Sequence, residues 1–182
     1  MILLVLGVLL WSAVHSFKRF APEARARLGD KGKALVALGV VAGLVLIVTG
    51  FRSADFVEVY QPQSWARHLN NLLMLVAVAL MGLGKSKSRL RAAIRHPMLS
   101  GVIVWGVAHL LVNGDLASLV LFGSMIVWAF VEMRLINASE LRGARYKDGS
   151  KAGDIRLAAI TVAVFAVITS IHTWLGYWPF PG

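Results

Sequence analysis

The sequence predicts an all-α integral membrane protein, a bundle of six transmembrane helices with the N and C termini both outside (periplasmic). One membrane domain is expected to cover residues 1–182. Apolar residues make up 58% of the chain and charged residues 15%, whereas a soluble domain carries about 45–50% and about 25%. This composition excludes a disordered chain and an ordinary water-soluble enzyme. The prediction also depends on a series of apolar runs and on the alternating placement of basic residues.

Six apolar runs follow one another along the chain, each near the length of about 20 residues that a membrane-crossing helix needs. The first has no basic segment before it and no small-residue cleavage site, so we interpret it as an anchor and not as a cleaved signal peptide. The fourth is short, and it opens on Pro97, whose missing N–H suits the first position of a helix. The runs cover residues 2–17, 34–51, 68–83, 97–112, 116–136 and 157–178.

Basic residues are confined to alternate connections between these runs. Of the 19 Lys and Arg residues, 17 lie in segments 18–33, 85–95 and 134–156. Positive charge accumulates on the cytoplasmic side of membrane proteins, so we place these three connections in the cytoplasm. The alternation requires an even number of spans with both termini outside. It also accounts for the net charge of +10 without a nucleic-acid partner, and none is expected.

Local patterns refine the expected helices. Asn113-Gly114-Asp115 is typical of a tight turn in which Asp115 caps the fifth helix. The spacing of Gly39 and Gly43 favours a close contact between helices. The polar segment 138–154 is expected to form a mobile cytoplasmic loop.

The five histidines are the most informative residues. His15, His109 and His172 lie well inside apolar runs, whereas His68 and His96 lie at run ends. Ionisable side chains inside membrane spans usually face the bundle interior and mark function, although each one alone also fits a neutral core histidine. The chain has no Cys, which excludes thiolate ligands. Several neutral imidazoles suit haem iron or another borderline metal.

Two of these histidines share a local context, Trp11-Ser12-Ala13-Val14-His15 and Trp105-Gly106-Val107-Ala108-His109. In both, a Trp lies four positions and a small residue three positions before the His. On a helix these side chains adjoin the His on one face. The small residues Ser12 and Gly106 would leave room for a flat macrocycle, and Trp11 and Trp105 would supply an apolar wall.

Depth in the membrane distinguishes between possible partners of His109. At a rise of ~1.5 Å per residue, the expected levels of His15 and His109 differ by ~10 Å. His172 comes nearer the level of His109, and His68 lies at the outer rim. Depth therefore pairs His109 with His172 or with His68.

A second cluster is expected at the cytoplasmic surface, where the fourth helix begins and the fifth ends. Arg95 and His96 precede Pro97, and Glu132 and Arg134 approach from the fifth helix. One interpretation is a site for an anionic group. The alternative is that the basic side chains extend to the aqueous interface and that His96 only starts a helix.

Taken together, several segments resemble the NnrU family, and the resemblance extends over nearly the whole chain. These segments are Ile94-Arg95-His96-Pro97-Met98-Leu99-Ser100-Gly101, Trp105, Ala108-His109-Leu110, Asn113-Gly114, Val14-His15-Ser16 and Ala66-Arg67-His68. The resemblance implies a multi-pass protein of the bacterial cytoplasmic (inner) membrane, linked to denitrification, that is, to nitrite and nitric oxide reduction. It also implies kinship with the plant ζ-carotene isomerase, a membrane protein with a b-type haem.

By that resemblance, His15 and His109 would be the haem ligands. His172 and His68 are the alternate ligands that depth indicates, and the local pattern places Trp11, Ser12, Trp105 and Gly106 beside the cofactor. The implied chemistry is redox or isomerase-like. The expected partners are membrane lipid, a hydrophobic small molecule such as a polyene or a quinone, and a respiratory or denitrification membrane protein.

Two other functions remain open at this point. Arg95, His96 and Glu132 also resemble the S-adenosylmethionine site of membrane methyltransferases of the isoprenylcysteine type. A non-enzymatic assembly or scaffold protein for a respiratory complex, with structural histidines, is the third interpretation.

Overall fold

The computed structural model describes residues 1–141, 143 and 146–180. Helices account for 76% of the described residues, and no β-strand occurs among them. An all-helical architecture is thereby confirmed. The helices, numbered along the chain, are α1 (Ile2–Phe20), α2 (Pro22–Arg27), α3 (Gly29–Arg52), α4 (Ala66–Leu83), α5 (Pro97–Val112), α6 (Leu116–Ser139) and α7 (Lys151–Trp174), with a 3₁₀ turn at Arg89–Ala92.

Within the described residues, five helices are long and apolar enough to cross a membrane, as in a multi-pass membrane protein: α1, α3, α4, α6 and α7. The remaining expected span is α5, the fourth run along the chain. It has the predicted bounds and is apolar, but its 16 residues make it shorter than the other five helices. Six spans and the orientation of the termini therefore stay predictions.

The helices fall into two compact units. The first comprises Met1–Gln61 and Gly114–Glu140, and the second comprises Pro62–Asn113 and Leu141–Gly182. The first unit thus contains α1, α2, α3 and α6, and the second contains α4, α5 and α7.

In the first unit, α1 packs against α3 along a row of glycines. A Cβ atom on Gly43 would lie 2.9 Å from the Cβ of Trp11, and one on Gly39 would lie 2.8 Å from a methyl group of Val14. The sequence prediction of a close contact at these glycines is confirmed. The buried core beside this contact consists of Leu4, Val8, Ile47 and Ala117.

Helix α6 begins at the predicted cap and then departs from regular α geometry. The carboxylate of Asp115 accepts hydrogen bonds from the backbone N–H of Ser118 at 2.9 Å and from its hydroxyl at 2.6 Å. A π-helical turn follows at Leu119–Gly123. Such a turn adds a residue to the helical repeat, so the side chains after it point in directions that a uniform helix would not predict.

In the second unit, α4 packs against both α5 and α7. A Cβ atom on Gly101 of α5 would lie 3.0 Å from the carbonyl oxygen of Ala77, and Leu157 of α7 lies beside Gly82. Asp154, in the first turn of α7, accepts hydrogen bonds from the Ser88 hydroxyl at 2.7 Å and the Arg89 side chain at 2.6 Å. These bonds fix the start of α7 to the turn after α4.

Several element boundaries differ from the sequence expectation. The last helix ends at Trp174 and not at residue 178, because Gly176 adopts a φ of 90°. The N–H of Tyr177 then donates to the carbonyl of His172 at 2.8 Å, which closes a Schellman motif. The expected loop 138–154 is also shorter, since its ends belong to α6 and α7; positions 142, 144 and 145 lie outside the described residues.

Candidate functional site

The three histidines inside apolar helices share one hydrogen-bond pattern. Nδ1 lies 2.8 Å from the carbonyl oxygen of Trp11 in His15, 2.9 Å from that of Trp105 in His109, and 2.8 Å from that of Ile168 in His172. A carbonyl oxygen only accepts, so Nδ1 must be the protonated nitrogen of each neutral ring. Nε2 then holds the lone pair. Histidines that bind metals through Nε2 commonly donate their other N–H to a carbonyl in this way.

In the first unit, His15 lies in a cluster of aromatic rings, the Trp–His cluster of Trp11, His15 and Trp128. The imidazole is tilted by 35° against the Trp11 indole, with ring centroids 3.8 Å apart. Trp128 of α6 meets both rings edge-on, at 4.6 Å from Trp11 and 5.6 Å from His15. Ser12, the expected small neighbour, is half-buried on α1. Trp128 follows the π turn of α6, and no local sequence pattern indicates that it lies beside His15.

A hydrogen-bonded acid, Glu132, lies one helical turn after Trp128 on α6. Glu132 is only 8% exposed, and its carboxylate accepts a 2.8 Å hydrogen bond from the hydroxyl of Ser16. The Trp128 indole N–H donates to the same hydroxyl at 3.3 Å. Arg19 completes the group, with its Nε 3.6 Å from the carboxylate.

The contacts of Glu132 concern the cluster that the sequence predicts at the start of the fourth span, which consists of Arg95, His96, Glu132 and Arg134. The carboxylate of Glu132 has its partners within the first unit, on α1. Arg134 also belongs to the first unit, whereas Arg95 and His96 belong to the second. A binding role for Arg95, His96 and Glu132 stays a prediction, and the burial of Glu132 has a structural explanation.

In the second unit, polar side chains of three helices lie at one level, which we call the polar layer: Asn70 and Asn71 of α4, His109 of α5 and His172 of α7. The contacts of Gly101 with Ala77 and of Leu157 with Gly82 fix the register of α5 and α7 against α4. Each helix rises about 1.5 Å per residue. Counted from these contacts, His109 and His172 lie at the level of the first turns of α4.

Asn70 is the buried member of the polar layer. It is 9% exposed, and its amide nitrogen donates to Asn71 at 3.1 Å. Asn71 in turn donates to the carbonyl oxygen of Pro179 at 3.1 Å. The amide oxygen of Asn70 has no hydrogen-bond partner within the described chain. A buried acceptor without a hydrogen-bond donor costs about 1–3 kcal/mol of folding free energy. The oxygen therefore indicates a place where a water or a ligand supplies the donor.

The remaining predicted residues lie in two places. Trp105 contacts His109, with ring centroids 5.1 Å apart, and Gly106 is buried beside it on α5. His68 is exposed and lines a groove at the start of α4. A cofactor-binding role for these residues stays a prediction.

No group of three or more His, Asp and Glu side chains in the described ranges is arranged to hold a metal ion. A haem iron differs from such a site, because its macrocycle supplies four nitrogen ligands and the protein supplies only one or two.

Comparison with known proteins gives one match. A family model described as NnrU protein matches residues 3–179, nearly the whole chain. Neither a curated protein nor a solved structure matches the sequence.

Proposed function

This chain belongs to the NnrU family, and from that premise and the geometry of its histidines we propose that it binds a b-type haem within the membrane. His109 is the ligand on which the proposal depends. The observation that supports it is the polar layer of the second unit, which contains both His109 and His172 and in which each directs Nδ1 to a backbone carbonyl.

The donor set suits a haem. Two neutral imidazoles with the lone pair on Nε2 are the ligands of low-spin b-type iron. The Nδ1 bonds to Trp105 and Ile168 would hold each ring in orientation. The Trp105 indole would form an apolar wall beside His109. The unpaired oxygen of Asn70 would accept a hydrogen bond from a donor in the same layer.

The second ligand has three candidates, and His68 is the least suited of them because it is exposed at the start of α4. We assign it to His172, which belongs to the same unit and the same layer as His109. The family resemblance implies His15 in its place, and His15 has the same Nδ1 bond to a carbonyl, within the Trp–His cluster. The two assignments predict different effects of substitution.

When bound, the haem supplies one-electron chemistry. This chemistry would serve electron transfer, redox sensing or an isomerase-like reaction. The chain itself would hold the ring orientations of its histidines and would surround the cofactor with apolar helix surface. The family resemblance implies a partner among denitrification or other respiratory membrane proteins.

Visible spectra of the purified protein test the proposal. Wild type should show sharp b-type bands on reduction and a low-spin electron paramagnetic resonance signal when oxidised. His109→Ala should lose both, because the iron loses a ligand that no neighbour replaces. His172→Ala should also abolish the low-spin signal, whereas His15→Ala should keep it.

The control is His96→Ala, which removes a histidine at the start of α5 and outside the polar layer, and it should leave the spectrum unchanged. Loss of the low-spin signal in His15→Ala but not in His172→Ala would move the second ligand to His15. A wild-type spectrum with full haem content in His109→Ala would contradict the proposal, as would folded wild type that binds no haem.

A further inference from the structure

A groove of about 780 Å³ opens at the end of the second unit where α4 begins and α5 ends. Its wall combines polar and apolar side chains in similar proportion. The polar ones come from the segment before α4 and from its first turn, and the apolar ones flank them. The lining residues include Gln63, Ser64, Trp65, Arg67, His68 and Val112.

The charge of this groove is positive. No Asp or Glu side chain is among its lining residues. Arg67 is exposed, and it forms no ion pair with any residue that the structure describes. A guanidinium group presents a planar set of donors that matches phosphate oxygens. The first turn of α4 adds the positive end of an 18-residue helix.

The position of the groove distinguishes a membrane ligand from a soluble one. Helix α4 is one of the helices long and apolar enough to cross a membrane, so its first turn lies at the boundary between hydrocarbon and water. Trp65, directly before that turn, is 57% exposed, as aromatic side chains at such boundaries are. Val112, the last residue of α5, supplies further apolar surface. Phospholipid headgroups occupy this depth.

We propose that the groove binds a membrane phospholipid through its phosphate group. Arg67 binds the phosphate, and His68, Gln63 and Ser64 contribute further hydrogen bonds. Trp65 and Val112 contact the beginning of the acyl chains. A free phosphate ion would make the same polar contacts but would leave the apolar part of the groove unfilled. This site does not depend on the haem proposal.

Native mass spectrometry of the detergent-solubilised full chain tests this inference by titration with phosphatidylglycerol. Wild type should bind one such lipid more tightly than any other. Arg67→Gln should weaken that first binding about tenfold or more, because a charge-assisted hydrogen bond is lost. Arg67→Lys, which keeps the charge but loses the planar donor set, should give an intermediate value.

The matched control is Arg52→Gln, which removes the exposed arginine at the end of α3, outside the groove, and should leave the first binding unchanged. Diacylglycerol, which has the acyl chains but no phosphate, should not compete. Equal affinity of Arg67→Gln, Arg67→Lys and Arg52→Gln for phosphatidylglycerol would overturn the proposal. Displacement of the lipid by inorganic phosphate at equal concentration would also overturn it, in favour of a free-anion site.

Discussion

Glu132 illustrates at the scale of single residues how an apolar helix accommodates an acid. A buried carboxylate without partners costs several kcal/mol. Here one oxygen accepts the hydroxyl of Ser16 at 2.8 Å and the other lies 3.6 Å from the Arg19 guanidinium. The same Ser16 hydroxyl accepts the indole N–H of Trp128. The acid therefore attaches the C-terminal end of α1 to α6, next to the cluster that contains His15.

Removing this carboxylate should destabilise the first unit. Glu132→Ala leaves the Ser16 hydroxyl without its acceptor and weakens the pairing of Arg19, with an expected cost of about 2 kcal/mol. Thermal unfolding in detergent measures the loss as a lower Tm.

Glu23→Ala is the matched control, because Glu23 is an exposed carboxylate whose only ion pair in the described chain is with Arg27 at 3.9 Å. Its effect should stay within about 0.5 kcal/mol. If the two variants unfold at the same temperature, Glu132 does not connect α1 to α6.

How far single residues could be predicted depends on the range of their interactions. The cap at Asp115 and the helix start at Pro97 are local, and both occur as the sequence predicts. Trp128 and Ser16 are 112 positions apart, and no local pattern indicates that they meet. The π turn at Leu119–Gly123 adds to the difficulty, since it rotates every later side chain of α6 relative to a regular repeat.

At the scale of elements, hydropathy located the helices better than it located their ends. Helix α3 begins at Gly29 and α7 at Lys151, both within segments that hydropathy predicts as polar connections. Hydropathy reports the part of a helix suited to hydrocarbon, whereas backbone hydrogen bonding continues into the basic residues beside it. Local chemistry explains the other end of α7, where Gly176 supplies the left-handed conformation that stops the helix.

The contact between α1 and α3 is the element-scale feature with the clearest test. A Cβ atom on Gly50 would overlap the backbone of Leu4, because the two helices approach most closely there. Gly50→Ala should force α1 and α3 apart and cost about 1–3 kcal/mol, as overpacking does.

Gly123→Ala is the control in the same unit, because a Cβ atom there meets no neighbouring atom within 4 Å. The higher helix propensity of Ala should leave this variant unchanged or slightly more stable. Comparison of the two Tm values in one detergent separates packing from propensity. If Gly50→Ala is as stable as Gly123→Ala, the glycine row does not determine the contact.

At the scale of the whole molecule, the number of membrane crossings depends on α5. Its 16 residues extend about 24 Å at 1.5 Å per residue, whereas the hydrocarbon core is about 30 Å thick. A short apolar helix can still cross where the bilayer thins locally or flanking side chains extend to the interface. The alternation of basic connections favours a crossing, because only an even number of spans places segments 85–95 and 134–156 on one side.

Single-cysteine labelling decides this point without any background thiol, since the chain contains no Cys. Ser53, Lys87 and Lys147 are exposed and lie between α3 and α4, between α4 and α5, and between α6 and α7. With six spans, a membrane-impermeant thiol reagent should label Ser53→Cys in intact cells. Lys87→Cys and Lys147→Cys should react only after permeabilisation.

If α5 did not cross, Lys147→Cys would move to the side of Ser53 while Lys87→Cys stayed protected. Labelling of Lys147→Cys in intact cells would therefore contradict six spans, and Lys87→Cys serves as the control for membrane integrity.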